Sequence, residues 1–328
     1  MERSKRSWWV TTAVAVLAGV VSFVPERATA GEEKFPNRPI TVMVGFGAGG
    51  QTDIAVRVIA KAAEKELGVP ILVVNRPGGG GTVSVTALAR TQPDGYTLGI
   101  ITAQSLAAPF MERVAYDPFK DFEWVNGFGR YIYGIYARSD APYGSIKEVV
   151  ETGRKNPGKL TFGSTSLISA LGLKFVEAQD TVRLTYIPLK SGQEVMTSLV
   201  GRHTDFGIGT PDAVQPFLES KDAKVLAVVT PDRWEHLPNV PTLKELGYDI
   251  DTTGWMILGA PAKTPKDRLE IINAAWRKGH AAPEVKDVLG KLMLWAPFTS
   301  GAEIKDAYPK KIAVWKRLLE QPAEARPK

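Results

Sequence analysis

Ile40-Thr41-Val42-Met43-Val44 is a short, almost continuous apolar run that ends in glycines. Such a run marks a strand buried on both faces, as in a parallel sheet. The period then changes. From Thr52 the apolar positions Ile54, Ala55, Val58, Ile59, Ala62, Ala63 and Leu67 recur at helical spacing, while Arg57, Lys61, Glu64 and Lys65 take the other face. This predicts a helix over 52–67, stopped at Gly68. Residues 71–74 repeat the strand pattern. Asn75-Arg76-Pro77-Gly78-Gly79-Gly80-Gly81 then makes a second glycine-rich loop, with a helix expected through residue 90, and Pro93-Asp94-Gly95 turns the chain into a strand at 96–101. The order strand, helix, strand, helix, strand predicts a doubly wound α/β unit with right-handed crossovers.

Past Tyr116-Asp117-Pro118 a strand is expected at 131–137, and the alternation restarts. Helices are predicted at 145–155, from the strand at 160–163 up to residue 178, and at 194–200 and 212–218; strands are predicted at 160–163, 184–188, 204–208 and 225–229. That is a second α/β unit. Beyond Trp255-Met256-Ile257-Leu258 the pattern is helical near 265–279, 283–294 and 302–319. Those helices are expected to pack back on the first unit. No repeat of fixed period is visible.

The amino end reads as an address. Arg3, Lys5 and Arg6 precede an apolar run from Trp8 to Val24, and Ala28-Thr29-Ala30 puts small residues where a signal peptidase reads them. Residues 1–30 are thus expected to be a cleavable signal peptide, with the mature chain starting at Gly31 in the periplasm. The apolar run is almost long enough to anchor in a bilayer, but its small-residue ending favours cleavage.

Composition then narrows the chemistry. The 328 residues contain no cysteine and three histidines, His203, His236 and His280, none paired at helical spacing. Disulfides, thiolate metal sites, cysteine nucleophiles and a histidine-based metal site or triad therefore drop out. The formal charge of +6 is spread along the chain with acids interleaved, so nucleic acid is not an expected partner. A hydrophobic share of 44% and a charged share of 23% suit large buried cores with a soluble surface.

Chemistry concentrates in the loops. Gly45-Phe46-Gly47-Ala48-Gly49-Gly50 satisfies G-x-G-x-x-G between a strand and a helix, the context of dinucleotide binding. The next strand ends in Asn75-Arg76 rather than an acid, which leaves an exported NADP-dependent oxidoreductase as the enzymatic alternative. The same glycines can instead present unpaired amides at the start of the 52–67 helix, where any anion, including a carboxylate, is favoured. Gly78 to Gly81 would open the next helix in the same way at the same sheet edge. Asp53 can contact ligand or orient the loop amides, and Phe46 can shelter a ligand or join the core. Ser164, Thr165 and Ser166 offer hydroxyls from the second unit or cap a helix, and Asp212 can contact ligand or cap. No G-x-S-x-G is present, so serine hydrolysis finds no support.

These residues resemble the periplasmic solute-binding receptors of tripartite tricarboxylate transporters, the Bug family. The resemblance is carried by Phe46-Gly47-Ala48-Gly49-Gly50-Gln51-Thr52-Asp53, Asn75-Arg76-Pro77-Gly78-Gly79-Gly80 and Pro93-Asp94-Gly95-Tyr96-Thr97-Leu98. Tyr116-Asp117-Pro118-Phe119-Lys120-Asp121-Phe122, Asn156-Pro157-Gly158-Lys159-Leu160 and Leu237-Pro238-Asn239-Val240-Pro241-Thr242 follow in order. It implies an α/β fold of the type II periplasmic-binding-protein kind, with two doubly wound domains and a ligand cleft between them. The expected domains are 31–132 with 254–328, and 133–253. The implied function is not enzymatic: capture of a small organic carboxylate, aliphatic or aromatic, by cleft closure and delivery to membrane transporter subunits. A sensory receptor of the same fold is the alternative within this class, and the chain is expected to be a monomer without a cofactor.

The resemblance implies that main-chain groups hold the carboxylate, at Phe46, Ala48, Gly49, Gly50, Thr52 and Asp53 and at Gly79, Gly80 and Gly81. Ser164, Ser166, Ser169 and Asp212 are the candidates from the other domain. Departures from the family pattern bear on the ligand. Gly45 stands where the family usually has proline and is expected to loosen the loop. The stretch Ser166-Leu167-Ile168-Ser169-Ala170-Leu171 lacks the usual histidine, Leu189 replaces a tyrosine, and Gly207-Ile208-Gly209-Thr210-Pro211-Asp212 also differs. The expected ligand is an organic acid with a less polar far end, such as an aromatic carboxylate, unless Leu167, Ile168 and Leu189 simply pack in the core. Lys190, Arg202 and Arg76 are candidate partners for a second carboxylate or plain surface charges.

Overall fold

The structure, a computed structural model, describes residues 34–234, 236–294 and 298–319; the expected signal peptide lies outside them. The described chain from Phe35 onward belongs to one compact unit. Strand β1 (Ile40–Val44) leads through the first glycine loop into helix α1 (Gln51–Leu67), and Gly68 ends that helix at φ 70. β2 (Ile71–Asn75), α2 (Thr82–Leu88), β3 (Thr97–Ile101) and α3 (Ala103–Ala107) follow. β1 pairs in parallel with β2 on one side and β3 on the other, so the carboxyl ends of all three strands meet at one edge.

The next segment departs from expectation. β4 spans Phe122–Tyr131, and the strand expected at 131–137 is divided between the end of β4 and β5 (Gly134–Arg138), which belongs to another sheet. Glu123, Asn126, Gly127 and Gly129 interrupt the apolar signal of β4. Its glycines serve close packing: a Cβ at Gly127 would lie 2.4 Å from Ile304 Cδ1 and 2.7 Å from the Trp255 ring.

The second sheet collects α4 (Ile146–Lys155), β6 (Thr161–Ser164), α5 (Leu167–Asp180), β7 (Thr185–Pro188), α6 (Gly192–Val200), β8 (Phe206–Gly209), α7 (Pro211–Glu219) and β9 (Ala223–Val228). Three of these helices start on a serine whose hydroxyl accepts an amide hydrogen bond, Ser145, Ser166 and Ser191; α6 begins at Gly192, two residues before the expected 194. The chain then returns through β10 (Gly254–Pro261) to the first sheet and ends in α8 (Lys266–Ala281), α9 (Pro283–Lys291), β11 (Thr299–Ser300) and α10 (Gly301–Leu319).

Among the described residues the strand orders are β11-β4-β10-β3-β1-β2 and β7-β6-β8-β5-β9. Both sheets are mixed: β10 and β4 run antiparallel in the first, and β5 runs antiparallel between β8 and β9 in the second. In each sheet one face of the parallel strands is sealed by helices. Ile40, Val42 and Val44 pack with Val56 and Ile59 of α1 and with Trp276 of α8, while Phe162, Phe206 and Ile208 pack with Leu173 and Val176 of α5. α8 lies directly on α1, since a Cβ at Gly279 would stand 2.9 Å from the Ile59 carbonyl. α10 packs on the first sheet as expected and also reaches the second. Its Ile304, Tyr308 and Trp315 cover Trp255 and Ile257, yet the same cluster includes Ile168 and Leu171 of α5.

Two connections join the sheets. The outward one is Ile132 and Tyr133, between β4 and β5; the return one precedes β10. α10 grips the return segment: Lys311 donates to Thr253 O at 2.9 Å and pairs with Asp251 at 2.7 Å, and Trp315 Nε1 donates to Asp251 O at 3.1 Å. β6, β7 and β8 are parallel and end at the edge where β5 begins, as the pairing of Gly134 with Gly209 requires. The carboxyl ends of the parallel strands in both sheets therefore face the connections, the place where open α/β sheets hold ligands.

Candidate functional site

Between Val44 and Gln51 the chain makes its first glycine loop, and α1 starts on Gly50 with no side-chain cap. The first amides of a helix have no intrahelical partner, and the helix dipole makes this end attractive to anions. Asp53 organises the loop. Its carboxylate accepts from Gly49 N–H at 2.9 Å, from Arg57 Nε at 3.0 Å and from Asn75 Nδ2 at 2.8 Å. Asn75 also donates to Phe46 O at 3.0 Å, and Arg57 Nη2 donates to Asn75 Oδ1 at 2.9 Å. Of the two readings of Asp53, the structure has its oxygens occupied in orienting the loop. Burial works against its ionisation, but the hydrogen bonds from Arg57, Gly49 and Asn75 and the charge of Arg57 outweigh it and hold the carboxyl below its ordinary 3.8.

That shift has a consequence in acid. A carboxyl depressed in the folded state contributes stability that is present above its unfolded pKa and is lost as pH falls through the lower folded value. Asp53→Asn is therefore expected to be less stable than the wild type at neutral pH, with the gap closing below about pH 3.8; urea unfolding at stepped pH reads it.

Thr52 Oγ1 and the buried Tyr131 hydroxyl lie 2.6 Å apart, linking the start of α1 to the last residue of β4. Phe46 sits half-buried with its ring 6.3 Å from that of Tyr131, and Tyr131 stacks on Tyr133 at 6.4 Å. A short aromatic row thus runs from the first loop to the outward connection. Burial pushes the Tyr131 hydroxyl above its ordinary pKa, so it stays a neutral donor and acceptor.

The second loop is a left-handed turn. Gly78, Gly79, Gly80 and Gly81 have φ of 136, 56, 61 and 103, conformations only glycine adopts without strain. The helix expected to follow through residue 90 is the seven-residue α2, so this loop offers amides from a turn rather than from a long helix. The two loops touch. A Cβ on Gly45 would stand 2.5 Å from Gly81 Cα, and one on Gly81 would stand 3.9 Å from the Phe46 ring. Gly45 therefore does not loosen the first loop; it lets the second one press against it, which a proline could not in this arrangement.

Across from the loops, Ser166 caps α5 by accepting from Ser169 N–H at 3.1 Å, and the fully buried Ser164 and Ser169 bond to each other. Gly79, Gly80, Thr165, Ser166 and Leu167 line one cavity of about 330 Å³, with Gln104, Met111 and Glu112 completing it. Asp212 opens α7 with Oδ1 buried and without a hydrogen bond, and burial raises its pKa against the opposing hydrogen bond from Thr210. Tyr136 reaches the same corner and donates to Gly209 O at 3.0 Å.

The structure thus sets Gly79 and Gly80 of the second loop on one cavity with Ser166, leaves the first loop touching the second without lining that cavity, keeps Ser164 and Ser169 behind the surface, and leaves Asp212 outside the lining. Ile168 is core, Leu189 packs over Gly163, and of these three apolar residues only Leu167 lines the cavity. Arg202 pairs with Asp140, beyond the far end of β5. A larger cavity of about 500 Å³ lies between α7 and the end of α9, lined by Pro211, Val214, Trp234 and Met293 among others. It includes neither glycine loop, so it lacks the amides that suit an anion. Sequence reasoning missed the parts played by Arg57, Asn75 and Tyr131; the only local signal was that Arg57 stands one helical turn after Asp53.

The profile of the tripartite tricarboxylate transporter family receptor matches residues 55–321. A Cupriavidus necator protein of the UPF0065 group is 33% identical over 289 residues, 88% of each chain. The solved structure of the periplasmic binding protein BugD is 28% identical, with a TM-score of 0.77 over 88% of this chain and 98% of that one. MatC from Rhodopseudomonas palustris, solved with bound malate, is 26% identical, with a TM-score of 0.78 over 87% of this chain and all of that one.

Proposed function

Since the chain belongs to the family of tripartite tricarboxylate transporter receptors, we propose that it captures a small organic carboxylate between its two sheets and hands it to membrane transporter subunits. It is a solute-binding protein and not an enzyme, and in this reading the G-x-G-x-x-G loop serves a carboxylate instead of a nicotinamide. The observation that carries the proposal is the contact between two glycine loops at the carboxyl ends of the parallel strands, the second of which shares a cavity with Thr165 and Ser166. The carboxylate is held by the backbone of Phe46, Ala48, Gly49, Gly50 and Thr52 and of Gly79, Gly80 and Gly81, with Asp53 fixing the first loop. Ser166 reaches the ligand directly, and Ser164, Ser169 and Asp212 shape the wall behind it.

In this reading the domains are 31–132 with 254–328, and 133–253, and closure turns about the two connections. Residues 1–30 direct export to the periplasm, where the chain works as a monomer. The malate bound to MatC supports a carboxylate ligand.

Thermal unfolding against mono-, di- and tricarboxylates, aromatic carboxylates and nicotinamide nucleotides tests the reading. A ligand at one hundred times its dissociation constant adds about 2.7 kcal/mol to the folded state. A carboxylate is expected to raise Tm and the nucleotides to leave it unchanged; a response to nucleotides alone would sink the proposal.

A further inference from the structure

We propose that the site selects a monocarboxylate whose far end is neutral or carries hydrogen-bond donors, and that Glu112 is the residue that turns a second carboxylate away. The inference rests on the carboxylate-receptor reading above and names the ligand class within it. Its basis is the charge inventory of the 330 Å³ cavity. Among the described residues Glu112, exposed at its margin, is the one charged side chain that lines it, and no cation does. Gln104 adds another acceptor, because its side-chain oxygen is buried and makes no hydrogen bond, and its Cγ is pressed against Gly80.

The basic residues that could balance a second carboxylate are engaged or elsewhere. Arg57 is committed to Asp53 and Asn75, and Arg202 pairs with Asp140 beyond the far end of β5. Arg76, Arg113 and Lys190 are exposed and do not line the cavity. A ligand seated with one carboxylate on the glycine loops would thus carry its second into a space that supplies no positive charge and holds a like charge at its margin. An anion leaving water without a partner is strongly disfavoured, and a neighbouring carboxylate disfavours it further. A neutral tail avoids both costs, and an ammonium or amide tail gains from Glu112 and Gln104. The malate seen in MatC is a dicarboxylate, so this chain is expected to differ from that relative in the half of the site far from the loops.

The test compares matched ligands by calorimetric titration at pH 7.5: hexanoate, adipate and 6-aminohexanoate, then butanoate and succinate. In the wild type the monocarboxylate of each pair is expected to bind at least tenfold more tightly than the dicarboxylate, about 1.4 kcal/mol. Glu112→Gln, a change at an exposed position, is expected to shrink that ratio at least threefold and to lower the advantage of 6-aminohexanoate over hexanoate. Equal or tighter dicarboxylate binding in the wild type overturns the inference while leaving the receptor reading intact, and its loss in Lys190→Ala would identify the cation responsible. A ratio unmoved by Glu112→Gln overturns the role of that residue. Failure of every carboxylate, in the wider panel as here, removes the receptor reading and this inference with it.

Discussion

Asp53→Ala is expected to abolish the carboxylate response and to cost about 3 kcal/mol of folding stability, because charge-assisted hydrogen bonds contribute about 1.5–3 kcal/mol each and do not add fully. Three donors lose their acceptor at once: the Gly49 amide, the Arg57 guanidinium and the Asn75 amide that also holds Phe46 O. Arg57 is about half exposed and can return to water, so the loss stays below that of stranding a buried charge. The larger effect falls on function. Without the carboxylate, the amides at residues 49–51 no longer have one arrangement, and a site built of main-chain donors depends on holding them in place before the ligand arrives. Asp53→Asn keeps one acceptor for Gly49 and is expected to fall between alanine and wild type in both readouts. Urea unfolding and ligand-induced Tm shift, measured on the same three proteins, separate the two effects. Wild-type affinity in Asp53→Ala would show that the carboxylate is not held at the first loop.

Gly45→Val should separate the two glycine loops. Its Cβ would be placed 2.5 Å from Gly81 Cα and 3.2 Å from Gly81 O, and both obstacles are backbone, so no rotamer change relieves the overlap. Overpacking of this kind costs about 1–3 kcal/mol, and carboxylate affinity is expected to drop at least tenfold as the second loop moves off the first. Gly47→Ala is the control: nothing stands within 4 Å of a Cβ there, and the change is expected to stay within about 0.5 kcal/mol of wild type. Retained affinity in Gly45→Val would mean that the loops bind independently rather than as one seat.

The elements that read correctly are those whose cause is local. α1 follows from its apolar spacing and Gly68, and α4, expected at 145–155, starts on Ser145, whose hydroxyl accepts from the amide three residues on. β4 was illegible because its stability comes from β10 and β11 on either side and from α10 above, which accept glycines and polar residues that a half-buried strand would not. The passage from β4 to β5 carries no break in hydrophobicity, so the change of sheet at Ile132 and Tyr133 left no mark in the sequence.

The site divides in the same way. The two glycine loops, their place after buried strands and the family pattern they carry are legible in the sequence, because a glycine run that closes an apolar run is a local signal. Tertiary structure decided which side chains serve those loops. Asp53 meets Asn75 across 22 residues and Thr52 meets Tyr131 across 79, while Glu112 reaches the cavity of Ser166 from another part of the chain. Contacts at such separations depend on how strands are ordered and helices packed, and periodicity and capping record only what lies within a few residues along the chain.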